Sequence, residues 1–215
     1  MCIIVLYFPF FVDNSLARAT AAQVNMFSQV AQITDNLYLS SCHAVKVNRI
    51  LQLGITNIIN ATVEVPNINL SDVETMRINV DDVPHARLGL YFDRCADKIK
   101  QVRDRGGVTL VHCVAGVSRS SSICIAYLMK YHRMTLKDAF RHCKSRRPVV
   151  HPNPGFFKQL IEYEQKLFGR TTVKMIPSQI GFIPDLYEEE LRGMVFLGGS
   201  PYGRAQRSGP SPRRY

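Results

Sequence analysis

The densest chemistry in this 215-residue chain lies in Val111-His112-Cys113-Val114-Ala115-Gly116-Val117-Ser118-Arg119-Ser120. A β-branched run, Val108-Thr109-Leu110-Val111-His112, precedes it, and a helical pattern follows from about Ser120 to Tyr131. The run reads as a central strand, so the segment after it is a strand-to-helix loop. Such a loop turns successive backbone N–H groups inward and ends on a helix N-terminus, which makes a cradle for an anion. Gly116 supplies the unusual dihedrals that a tight cradle needs. Arg119 stands where its planar fork can clasp two oxygens of a phosphate. Cys113 opens the cradle. The groups that hold phosphate also hold a thiolate, and a thiolate in a phosphate cup is a nucleophile aimed at phosphorus.

Taken alone, Cys113 reads as a small buried hydrophobe after a strand. Five residue types (His, Cys, Gly, Arg and Ser) held within nine residues decide against that reading. At a few per cent usage each, their chance recurrence in a chain of this length is on the order of one in 10⁴ or rarer. Expelling an alkoxide from phosphorus also needs a proton donor, and Val80-Asp81-Asp82-Val83-Pro84 offers two carboxyl groups. Neighbours in an extended loop point to opposite sides, so only one of the pair can face a pocket. Pro84 biases Val83 toward extended backbone. From the residues alone, Asp82 reads equally well as a solvated turn aspartate.

The elements that must position these groups follow from periodicity. Ala31 to Leu39 reads as two short strands around Thr34-Asp35-Asn36. His43 to Leu53 has helical spacing through Val47, Ile50 and Leu51, with Gly54 as a left-handed cap. Ile55 to Ala61 and Thr75 to Val80 read as strands. Leu90 to Val102 gathers Phe92, Cys95, Ala96, Ile99 and Val102 on one helix face, ended by Gly106-Gly107. Thr135 and Asp138 cap a helix running to about Ser145, and Asn153-Pro154 opens another that ends at Phe168-Gly169. Beyond Thr171 the pattern is less regular, with a short acidic helix expected from Pro184 to Leu191. Strands alternating with helices, then helices in succession, imply an α/β domain with helices on both faces of the sheet.

Composition bounds the rest. Hydrophobic residues at 46% and charged residues at 20% exclude a disordered, collagen-like or coiled-coil chain. Six cysteines show no C-x-x-C pair and no metal-ligand spacing, so a reducing compartment is expected, with Cys124 as core packing. The charge is +10, from 27 Lys+Arg against 17 Asp+Glu, and four arginines of the tail supply +4 of it. No basic block is interleaved with aromatics, so nucleic acid is not expected as a partner. Residues 1–28 read as an apolar, poorly ordered leader. Its alternative is a targeting or membrane-associating segment, with Ala17-Arg18-Ala19 as a loose cleavage signal. Residues 29–169 form the expected catalytic domain, 170–197 a C-terminal extension, and 198–215 a disordered basic tail.

His112-Cys113-x5-Arg119-Ser120 is the signature loop of the cysteine-dependent protein tyrosine phosphatase superfamily. Ala31-Gln32-Ile33-Thr34, Ala126-Tyr127-Leu128-Met129-Lys130 and Arg147-Pro148-Val149-Val150 with Pro152-Asn153 narrow the match. From about Gln29 to Phe168 the chain resembles the small atypical dual-specificity phosphatases, the MAP-kinase-phosphatase-like subgroup without a kinase-docking domain. The resemblance implies a single phosphotyrosine-phosphatase-like domain, with a mixed sheet of about five strands flanked by helices. It implies Cys113 as the nucleophile of a phosphocysteine intermediate, Arg119 as phosphate clamp and Ser120 as the hydroxyl that helps the thiolate leave. His112 would orient the loop, and the N–H groups of Val114, Ala115, Gly116, Val117, Ser118 and Arg119 would cradle the phosphate. Asp82 matches the loop aspartate that protonates the leaving oxygen and then activates water. Asn153 reads as a helix N-cap that also steadies the loop, and His151 stands where relatives often carry Arg.

The implied activity is hydrolysis of phosphotyrosine and phosphoserine/threonine without cofactor or metal. The implied partners are phosphorylated signalling proteins, MAP kinases or their upstream kinases among them, in the cytoplasm and nucleus. Alternatives on the same fold are a phosphoinositide or RNA 5′-phosphatase, against which the uncharged Val114, Ala115, Val117 and Ser118 argue, and a catalytically weak phosphoprotein-binding scaffold. Because no ligand set for a catalytic metal is visible, EDTA is expected to leave phosphatase activity unchanged. Loss in EDTA that returns with added metal would contradict this.

Overall fold

The computed structural model describes residues 29–178 and 181–188. The apolar leader, the end of the expected acidic helix and the basic tail lie outside the described residues. The chain forms β1 (Ala31–Thr34), β2 (Leu37–Ser41), a 3-10 turn (Cys42–Ala44), α1 (Val47–Gln52), β3 (Asn57–Asn60) and β4 (Glu74–Arg77). After a 3-10 turn at Leu88–Tyr91 come α2 (Phe92–Asp104), β5 (Thr109–Cys113), α3 (Arg119–His132), α4 (Leu136–Arg146) and α5 (Pro154–Phe168). A hairpin of β6 (Met175–Ser178) and β7 (Gly181–Pro184) ends the series, and residues 185–188 are helical.

The strand that delivers the candidate nucleophile is the middle one. The sheet order is β1-β2-β5-β3-β4, with β1 antiparallel to β2 and the remaining pairs parallel. All five residues of β5 are buried. Its side chains alternate between two cores, as strand geometry requires. Val111, with Leu39 and Ile59 beside it, joins the main core beneath α2, α3, α4 and α5, whereas Leu110 and Ile58 join a smaller cluster with Ile50 of α1. Helices therefore cover both faces, but unequally. Each large apolar side chain taken fully out of water here contributes about 1.5–3 kcal/mol.

The cap signals mark real boundaries. Thr135 accepts from the Asp138 N–H, Asn153 accepts from the Phe156 N–H, and Gly169 ends α5 at φ +69°. The face predicted for α2 is the buried one: Phe92, Cys95, Ala96, Ile99 and Val102. Two local readings need correction. The expected helix over 43–53 is split, because Lys46 is extended. What remains is six residues, too short to bury a full stripe, so Ile50 is buried while Val47 and Leu51 are exposed. Second, a hairpin forms where the pattern reads as less regular, and its second strand takes in Pro184, the expected start of the acidic helix. Pro177 and Pro184 argue against strands, yet a two-stranded ribbon leaves outer edges where a missing N–H costs nothing.

The loop after β5 is pressed against β2. Gly116 has φ +69°, and a Cβ there would meet the Ser40 carbonyl carbon and oxygen at 2.5 Å and the Ser41 nitrogen at 2.7 Å. Both constraints demand glycine. Gly116→Ala is expected to cost about 1–3 kcal/mol or more in backbone strain, lowering Tm by about 2–12 °C and depressing turnover. Wild-type Tm and turnover together in this variant would contradict the close approach.

Candidate active site

The loop is built by fixing its carbonyls. Val114 O accepts from the Cys42 N–H at 3.1 Å, and Val117 O from the His151 N–H at 2.9 Å. Ala115 O and Gly116 O accept from Nη2 and Nε of Arg147 at 3.0 and 2.8 Å. Ser118 O accepts from the hydroxyls of Ser121 and Ser122, each at 2.8 Å. A peptide unit is planar, so holding a carbonyl also sets the direction of the next N–H. The Gly116 N–H donates to Cys113 Sγ at 3.2 Å. The Ser120 hydroxyl donates to the same sulfur at 3.2 Å. Cys113 thus sits where the loop returns into the N-terminus of α3, with donors aimed at a thiolate.

Arg147 is the residue that sequence reasoning missed. It is 2% exposed and reaches three backbone carbonyls, the third being Gln29 O at 3.0 Å. Burial holds its guanidinium below its usual range, and the charge of Cys113 offsets only part of that fall. A buried cation thus stands behind the loop, hydrogen-bonded to its carbonyls. His112, also buried, has Nδ1 3.3 Å from the Cys113 carbonyl, which only accepts, so Nδ1 carries the proton. Burial pushes the imidazolium down; the bond to the Cys113 carbonyl opposes this and the Arg119 charge adds to it, so the net direction is down.

Arg119 is 3% exposed. Its Nη1 donates to both Glu64 carboxylate oxygens, at 3.2 and 2.9 Å, and to Val80 O at 3.1 Å. Burial pushes Glu64 up, but the bond to Arg119 and backbone donors outweigh it and hold the carboxylate below its usual range. Nε of Arg119 is buried without a hydrogen-bond partner and lies 3.6 Å from Asp82 Oδ2. Glu64 was a second residue not singled out from the sequence.

Asp82 is brought to the same place. Its Oδ1 accepts from the Ser118 hydroxyl at 2.7 Å and from Asn153 Nδ2 at 2.8 Å. Its side chain keeps 34% exposure, so the carboxyl group stays open to solvent. Asp81 is exposed. Asn153 performs two tasks at once: Oδ1 caps α5 at Phe156 N–H (2.9 Å), and Nδ2 holds Asp82. Ser118 accepts the Asn153 N–H at 3.0 Å while donating to Asp82. Gly155, in the first turn of α5, lets the Asp82 loop come close, since a Cβ there would collide with the Pro84 carbonyl. The His151 ring stacks on Tyr187 at 3.8 Å. Cys124 is fully buried in the core.

This geometry joins a thiol, an arginine fork, a carboxyl group and a ring of fixed amides. The family model described as dual specificity phosphatase, catalytic domain, matches residues 37–166. The chain belongs to the dual specificity phosphatases. Human dual specificity protein phosphatase 14 is 50% identical over 167 residues, covering 77% of this chain and 84% of that protein. Human dual specificity protein phosphatase 18 is 49% identical over 173 residues, covering 79% and 91%. The crystal structure of human DUSP28 matches with a TM-score of 0.62 at 32% identity, over 64% of this chain and 94% of that one. The chain is a small atypical member of the family, with the single phosphatase domain and mixed five-stranded sheet that the signature loop implied. It is a protein tyrosine/serine/threonine phosphatase, and its substrates are phosphoproteins.

Arg147→Met keeps the apolar stem but strands the Ala115 and Gly116 carbonyls. Each lost buried bond costs about 1–3 kcal/mol, so a marked drop in Tm and at least about a tenfold fall in kcat/KM are expected. Arg147→Met with wild-type kcat/KM would show that the loop keeps its shape without this brace.

Proposed function

We propose that this phosphatase works through a phosphocysteine on Cys113, with Asp82 as the acid and then the base. The observation that carries the reading is that Asp82 and Cys113 are tied to one loop. The carboxylate bonds to Ser118, and the thiol receives bonds from Gly116 and Ser120. In the first step Cys113 Sγ attacks phosphorus in line. The S–P bond forms as the bond to the substrate oxygen breaks, and protonated Asp82 gives that oxygen its proton. In the second step Asp82 takes a proton from water, the water oxygen bonds to phosphorus, and the thiolate leaves with a hydrogen bond from Ser120.

The phosphoryl oxygens are negative throughout, so fixed donors do most of the work. Glu64 and Val80 O hold one end of the Arg119 guanidinium, which leaves its Nε edge for two phosphoryl oxygens. The amides of residues 114–119 take the third and share the other two with Arg119. His112 acts through the Cys113 carbonyl, as an orienting group.

The substrates we propose are signalling phosphoproteins, with MAP kinases or their upstream kinases supported by the resemblance to the MAP-kinase-phosphatase-like subgroup. Six cysteines without paired spacing support a reducing compartment, and with it the cytoplasm and nucleus.

Cys113→Ser is expected to abolish turnover while phosphopeptide binding stays nearly intact, since the cradle and Arg119 remain. A substantial residual rate would exclude the thiolate mechanism. Asp82→Asn should cut kcat by about 10²-fold or more on an alkyl phosphate. The loss should be smaller on an aryl phosphate with a good leaving group, and Asp81→Asn should cost little on either. Equal losses on both substrates, or exchanged effects of the two aspartates, would remove Asp82 as proton donor.

A further inference from the structure

The matched family region ends at residue 166, but the chain beyond it returns to the site. Ile183, Leu186 and Tyr187 are buried in the main core. The Tyr187 ring stacks on His151 at 3.8 Å and 21°, and meets Phe157 edge-on at 5.4 Å and Phe140 at 6.0 Å. Its hydroxyl donates to the Pro152 carbonyl at 2.5 Å. His151 and Pro152 are the two residues directly before Asn153.

Segment 151–153 is the arm that holds the acid. The His151 N–H bonds to Val117 O and the Asn153 N–H to the Ser118 hydroxyl, so the arm lies along the signature loop. Pro152 has no N–H to add a bond of its own. Pro154 biases Asn153 to extended backbone, seen at φ −61° and ψ 153°, so the placement of the arm sets where its amide points. That amide donates to Asp82. From Tyr187 the contacts therefore run through one carbonyl and one side chain to the carboxyl group.

We propose that Tyr187 is a positioning residue for Asp82, acting through the Pro152 carbonyl and the Asn153 amide, so that the C-terminal extension is part of the catalytic apparatus. The inference rests on the reading of Asp82 as acid. A displacement of about 1 Å at a reacting group is enough to cost up to 10²-fold in rate. Loss of one buried hydroxyl bond, with the ring still packed, is a milder disturbance.

The test is a double-mutant cycle in the full chain with Tyr187→Phe and Asp82→Asn, on a phosphothreonine peptide and on para-nitrophenyl phosphate. Tyr187→Phe is expected to lower kcat on the peptide by about three- to tenfold, with KM nearly unchanged and Tm lowered by only about 2–6 °C. The aryl phosphate rate should stay within about twofold. In the Asp82→Asn background Tyr187→Phe should have no further effect on the peptide, because the group it positions is gone. His151→Ala, which removes the stack, should show the same substrate dependence.

An equal loss on both substrates, or the same factor in both backgrounds, would make Tyr187 a packing residue and overturn the proposal. So would an unchanged peptide rate in Tyr187→Phe. If Asp82→Asn itself cost both substrates equally, the acid assignment would fall and the Tyr187 proposal with it. That result is distinguishable, since it appears in the single Asp82 variant.

Discussion

Everything at this site depends on the direction of a few peptide planes. An anion cradle made of backbone N–H groups works only if the carbonyls of the same peptides are turned away and satisfied elsewhere. From Val114 to Ser118 each carbonyl has a donor outside the loop: the backbone after β2, the Arg147 guanidinium, the backbone at His151 and two serines of α3. The strand β5 supplies a rigid, fully buried base for the loop, and α3 supplies its positive end. The crevice opens at the carboxyl ends of parallel strands, where α/β sheets place their ligands. Gly116 is the point at which this arrangement meets β2 too closely for any side chain.

The second requirement is that the proposed acid, Asp82, comes from a different part of the chain and still holds register with Cys113. Asn153 meets it by joining helix capping to the placement of Asp82: the bond that starts α5 and the bond that holds Asp82 come from the two ends of one amide. A helix buried along Phe156, Phe157 and Leu160 does not shift easily. Its rigidity therefore passes to a carboxyl group on an otherwise exposed loop. Arg119 is restrained in a similar way by Glu64, a carboxylate that itself stands in a turn tied down by Asn60 and Thr62 through Val65 O.

What the sequence made legible were local signals and one dense motif. The cap residues Thr135, Asn153 and Gly169 marked helix ends because capping involves residues three or four apart. The α2 face was legible because five apolar residues recur at the helical period. The signature residues, with Asp82 added by resemblance, converge on one loop. Arg147 and Glu64 stayed hidden because their partners lie far along the chain, at separations of 31 and 55 residues, and an isolated Arg or Glu ordinarily reads as solvated surface. The break in the 43–53 helix and the β6–β7 hairpin were illegible for another reason. Short elements follow tertiary packing rather than their own propensity.

The central claim is that the phosphoryl group rests on the sulfur of Cys113 between the two steps. It is tested most directly by rapid acid quench of the enzyme during turnover of a phosphopeptide, followed by peptide mapping by mass spectrometry. The account predicts a phosphoryl adduct on the peptide bearing Cys113, absent from Cys113→Ser and appearing no later than the first release of dephosphorylated product. Full turnover with no adduct at Cys113 at any quench time, or an adduct mapped to another residue, would contradict it.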